Sequence, residues 1–228
     1  MDPDQKKRLI VVVVAAVAIV FLWKMMFSGP DYEAALASDS KAERLRAIEE
    51  LERMDSASAA ELISKYVNDD DLVIAQRVII SMGRMKKQVP VEDLVPLLDS
   101  PKAAIREAAV IAVGSRGREG DPARLRDVMM TDKEVGVRMA AIAELSSMRD
   151  WEATELFAQL LSHDDPMLVS TAADAIMRIG GIQLQGFRSN ATPAQRASAI
   201  RFLQQNWRSF KFNHDEYQHY LEVKRNNQ

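Results

Sequence analysis

Small and large apolar residues recur along this chain at intervals of 31 or 32 residues. Ala47, Val78, Ala109, Ala141 and Ala173 hold one position, and four residues beyond each stands a larger side chain: Leu51, Met82, Val113, Leu145 and Met177. An i, i+4 pair of this kind marks one face of a helix, where the smaller residue admits a neighbouring helix and the larger fills the groove beside it. Each such segment follows another that ends in an apolar pair, namely Ala35-Leu36, Tyr66-Val67, Leu97-Leu98, Val128-Met129 and Leu160-Leu161. Together the two patterns predict five helix pairs between Tyr32 and Gly180. One pair cannot cover its own apolar faces, so the expected fold is an all-α solenoid in which stacking makes the core continuous.

Turn chemistry agrees with this division. Ser100-Pro101 and Asp165-Pro166 put an N-cap side chain ahead of a proline suited to the first turn of a second helix, and Asp121-Pro122 does the same for a first helix.

The registers Ile105-Arg106-Glu107-Ala108-Ala109 and Val137-Arg138-Met139-Ala140-Ala141 resemble the HEAT family, specifically the short HEAT-like repeats also found in phycobilisome lyases. The signature is a polar turn residue six positions before an Arg that follows Val or Ile; Asp132 with Val137-Arg138 matches it, and Ser100 with Ile105-Arg106 nearly so. Ala75 and Ser170 stand where that Arg would be, and Glu43 where the aliphatic would be. The resemblance covers residues 31–181 and implies a curved face lined by the second helices. Scaffolds, adaptors and a few enzymes are built from such repeats.

Ahead of the repeats lies a different pattern. Leu9 to Trp23 is an unbroken apolar run of 15 residues, and with Lys24 snorkelling it extends through Phe27. Residues 9–27 therefore read as a transmembrane anchor of about 28 Å. A cleavable signal peptide shares the basic start and apolar run, but the exit Met25-Met26-Phe27-Ser28-Gly29-Pro30 offers no small-x-small site near it. Lys6-Lys7-Arg8 against Lys24 alone places residues 1–8 in the cytoplasm by the positive-inside rule. The expectation is a single-pass membrane protein whose repeat domain faces the periplasm or the cell exterior. A chain without cysteine fits export without disulfides and equally a cytosolic life.

Charge is uneven. Residues 28–181 carry 19 basic and 28 acidic side chains, whereas residues 182–228 carry seven and three. An acidic body is unsuited to a phosphate backbone, which excludes nucleic acid and favours a basic or neutral protein partner. The last 47 residues depart from the repeat and are expected to form a C-terminal helical cap over 182–228. Thr192-Pro193 starts one helix with Ala199, Ile200, Leu203 and Trp207 on its apolar face, and a second is predicted from His214 to about Val223. Phe202, Trp207, Phe210, Phe212, Tyr217 and Tyr220 would supply the rings that close the array.

Catalytic constellations are thin. His214 and His219 are five apart, off a common helix face for a metal, and His163-Asp164 sits at a repeat turn where Asp164 fits the polar position. There is no Cys nucleophile, no His-Glu pair of the kind some HEAT-like hydroxylases use for iron, no phosphate-cradling loop, and Asp69-Asp70-Asp71 lacks the other ligands of a calcium loop. The sequence thus points to a non-catalytic, membrane-anchored interaction scaffold with no cofactor, no metal and no small-molecule substrate. Candidate protein-binding positions on the second helices are Arg46, Glu50, Arg77, Arg106, Glu107, Arg138 and Glu144. Two alternatives stay open: a bilin-lyase-type enzyme, implied by the resemblance alone, and a structural subunit of an envelope complex.

Overall fold

The computed structural model describes residues 30–184, 187 and 191–226. Ten α-helices and three 3-10 segments occur among these residues, with no β-strand. The chain divides into two compact units between Ala47 and Ile48, inside the second helix.

In the first unit, α1 (Tyr32–Leu36) is capped by Asp31, whose carboxylate accepts the Ala34 N–H at 3.0 Å. Helix α2 (Lys41–Met54) begins here, and Arg44 Nε donates to the Leu36 carbonyl at 2.8 Å, closing the end of α1.

The second unit takes up the remainder of α2 and then α3 (Ala57–Ser64) and α4 (Leu72–Arg84). Two 3-10 segments, Val91–Asp93 and Val95–Asp99, lead to α5 (Ala103–Gly114). After a short 3-10 turn at Gly117–Glu119 come α6 (Pro122–Thr131), α7 (Val135–Ser147), α8 (Ala153–Leu160) and α9 (Pro166–Gly180). Helix α10 (Pro193–Asn226) is the last. The helix order reproduces the five predicted pairs. Ser56, Asp71, Asp121 and Asp165 each cap a helix by accepting a backbone N–H, as short polar side chains do at such positions.

Second helices stack in series, α4 on α5, α5 on α7 and α7 on α9. Their shared face is the predicted one: Ile74, Val78, Ile79, Ala109, Val113, Ala141 and Leu145 are all fully buried. Gly83 permits a close approach of α4 to α5, since a Cβ there would fall 2.6 Å from the Ala112 Cα.

Three differences from the expected layout have physical causes. The first helix of the third repeat is two 3-10 segments, because Pro96 stands at the start of the second and cannot donate to a continuing α-helical ladder. The C-terminal region is one helix of 34 residues instead of two, since Lys211-Phe212-Asn213 contains neither Gly nor Pro to break it. The third is a correction to the single-pass membrane localisation: among the described residues no helix is long and apolar enough to cross a membrane. The longest, α10, carries Arg196, Arg201 and Arg208 in its first half and Lys211 just past its midpoint. The segment 9–27 that prompted the expectation of an anchor, and residues 1–8 expected in the cytoplasm, lie outside the described residues.

The end of the array is closed by the chain that follows it. Helix α9 stops at Gly181, whose φ of 61° is a left-handed value that glycine adopts without a Cβ penalty. Ile182, Leu184 and Ala191 are then buried, and α10 returns across α8 with Ala199 and Leu203 inward. Trp151, in the turn before α8, inserts between Trp207 and His214 of α10, with ring centroids 5.7 and 4.2 Å away. Those two residues are seven apart, or about 10.5 Å along a helix axis, so one flat ring fills the two-turn gap.

Candidate protein-interaction surface

The second helices carry the candidate positions, and most of their arginines point into the fold. Arg106 is the clearest case. Its guanidinium forks onto Asp132 of the next repeat, Nε to Oδ2 at 2.6 Å and Nη2 to Oδ1 at 2.8 Å, while Nη1 donates to the Ser100 carbonyl at 3.0 Å. Both side chains are buried, at 7% and 6% exposure. The Arg106 hydrogen bonds hold the Asp132 carboxyl below its ordinary range against the opposing effect of burial, and Asp132 in turn raises Arg106. Asp132 Oδ1 also accepts the Glu134 N–H, so one carboxylate shapes a turn and ties two repeats.

Arg138 occupies the same register one repeat later. Its Nε donates to the Met129 carbonyl at 2.8 Å and its Nη1 lies 3.1 Å from His163 Nε2. His163 Nδ1 accepts the Asp165 N–H, and the His163 carbonyl receives Arg196 of α10 at 3.0 Å. The turn residue therefore joins α7, α9 and α10, a structural role at the place where Asp164 was expected to act.

Arg77 belongs to a charged cluster on α2 and α4. It reaches Glu52 at 3.2 Å and Glu49 at 3.6 Å, Arg84 reaches Glu52 at 3.1 Å, and the Ser81 hydroxyl donates to Glu52 at 2.6 Å. Burial alone raises Glu52, but Ser81, Arg84 and Arg77 together hold its carboxyl below the usual value.

The glutamates behave differently. Glu107 on α5 and Glu144 on α7 are partly exposed and form no hydrogen bond or ion pair among the described residues. The Glu144 side chain lies over Gly114 of α5, in the space a Cβ would take, and burial pushes its carboxyl up. Arg46 is exposed and Glu50 half-buried, both on α2.

Two residues outside the candidate set hold the fold together. Arg116 is 6% exposed and its Nη2 donates to the carbonyls of Met82 and Val89, each at 2.8 Å, with no ion pair to a carboxylate among the described residues. Burial lowers its basicity. Trp151 is the other. Neither belongs to a periodic pattern, and only their size and charge within turns set them apart. Among the described residues no group of three or more His, Asp and Glu is arranged to hold a metal ion.

No curated protein sequence matches the chain. Solved structures do. The CpcE–CpcF phycocyanin lyase complex of Nostoc sp. PCC7120 is similar at a TM-score of 0.50 and 18% identity, over 68% of this chain and 67% of that one. An engineered protein from a structural genomics consortium is similar at 0.48 and 16%, over 80% and 98%. A microtubule polymerase with TOG-domain arrays, described for tubulin recruitment, is similar at 0.42 and 16%, over 76% and 45%. At these identities the likeness concerns fold alone. The profile for HEAT repeats matches residues 31–114, 62–146 and 122–204, overlapping windows that run through every helix pair described above. With the serial second helices and the Arg106–Asp132 tie between repeats, this identifies the chain as a member of the HEAT-repeat family.

Proposed function

We propose that this chain is a non-catalytic scaffold that holds a protein partner along its second helices, with a basic segment of that partner meeting Glu107 and Glu144. HEAT-repeat solenoids characteristically offer extended surfaces of this kind. One observation carries the reading: the arginines of the face are spent on neighbouring repeats, as with Arg106 on Asp132 and Arg77 on Glu52, while Glu107 and Glu144 stay unpaired among the described residues. The excess of 28 acidic over 19 basic side chains in residues 28–181 gives the same sign. The CpcE–CpcF pair, whose fold this chain shares, is itself a complex of two proteins.

The test is charge reversal at Glu107→Lys and Glu144→Lys in the full chain, read as co-purification of the endogenous partner with helicity followed by circular dichroism. Loss of the partner at unchanged helicity supports this face; undiminished binding rejects it. Absorbance of the purified protein tests the non-catalytic half, because a bound chromophore or coloured metal would overturn it.

A further inference from the structure

The returning helix creates a second surface, on the first-helix side of the array. Between α8 and α10 runs a groove of 580 Å³, within the range of recognition pockets. Its floor is Ala158 from α8 with Ile200, Leu203 and Trp207 from α10, and Glu155 and Gln159 stand on the α8 rim. Ala158 contributes only a methyl group, the smallest side chain in the lining.

The edge of α10 that continues from the groove is predominantly basic. Gln204 lines the groove, and Arg201, Arg208 and Lys211 lie three before, four after and seven after it, which places all four along one edge of the helix. The three cations are exposed and have no hydrogen bond or ion pair among the described residues. Phe212, 61% exposed, extends this edge beyond the groove. Along this edge three cations stand against Asp215, one turn after Lys211, while the groove itself contains the single carboxylate of Glu155 and a half-buried Trp, a residue type favoured as an interface anchor.

We infer that this groove docks an acidic protein segment, one that seats a large apolar side chain over Ala158 and Trp207 and aligns Asp or Glu with Arg201, Arg208 and Lys211. Such a segment matches the site as an amphipathic helix or strand matches an apolar cleft with a charged border. The inference does not depend on the second-helix face, which takes the opposite charge.

The experiment is selection of a random-peptide library on the full chain, followed by affinity measurement of the enriched peptides by fluorescence anisotropy. Enriched peptides are expected to combine Asp/Glu with Leu, Phe or Trp. They should bind Ala158→Trp at least tenfold more weakly, and the double variant Arg201→Glu/Arg208→Glu more weakly still at low salt. Variants are compared only where circular dichroism and the melting temperature match the parent, and Ala158→Leu replaces Ala158→Trp if the larger side chain unfolds the protein. Enrichment of basic or charge-free peptides, no enrichment, or binding indifferent to both substitutions would overturn the assignment. So would concentration-dependent self-association lost in Ala158→Trp, which would make a second copy of the chain the occupant.

Discussion

The indole of Trp151 lies nearly parallel to the imidazole of His214, at 8° and 4.2 Å between ring centres. It is contributed by the turn before α8, whereas His214 lies 21 residues into α10 from Pro193. With Trp207 on the other side of the same ring, this contact fixes both the register and the direction in which α10 crosses the last repeat.

Replacing Trp151 by Ala therefore removes the fastener of α10 while leaving the helix pairs intact. The expected loss is about 2 kcal/mol, below that for a fully buried aromatic because Trp151 is partly exposed. Hydrogen exchange should quicken in residues 204–214 with little change in α4 and α5.

His214 adds a pH dependence of defined sign. Burial lowers its basicity in the folded chain and Arg118 adds to this, with Asp215 opposing. The unfolded chain, titrating at about 6.5, then binds more protons, so stability is fully present above that value and is lost as pH drops from it through the folded value. Melting temperatures between pH 7.5 and 5.5 should fall more steeply for the parent than for His214→Phe.

The Arg106–Asp132 tie should be unforgiving of single changes. Asp132→Ala strands a buried guanidinium and is expected to cost about 3–5 kcal/mol in urea unfolding, whereas Arg106→Met with Asp132→Leu should recover most of that loss. Because the folded Asp132 carboxyl is held low, its contribution is present above about pH 3.9 and disappears as pH falls through the folded value.

Glu144 has the opposite sign. Its carboxyl is raised by burial, so the stability associated with its protonated form is present below the unfolded value and is lost as pH rises through the folded one. Glu144→Gln should raise the melting temperature at pH 7 by about 1–3 °C and change it little at pH 4.

Much of the architecture was legible because each second helix repeats a small-then-large apolar step, and the periodic part of the chain folds as that step predicts. Arg106 and Asp132 also stood out, through their place after an aliphatic and in a polar turn. Their roles did not: spacing inside one repeat gives no sign that a guanidinium reaches a carboxylate 26 residues onward. For the same reason Arg77, Arg106 and Arg138 read as outward-facing recognition groups, although packing turns them toward neighbouring repeats. Trp151 is a solitary ring in a turn and left no pattern to detect. Pro96 did carry a local signal, and the 3-10 geometry of the third first helix follows from it.

In a linear array each unit ordinarily leans only on its neighbours, and the terminal unit peels away first. Here the chain doubles back: α10 grips α8, reaches the Trp151 turn that joins the fourth repeat to the fifth, and bonds the His163 carbonyl through Arg196. The last two repeats are thereby latched into one cooperative block. Loosening from this end must begin with the strap letting go, and fraying repeat by repeat is closed to it.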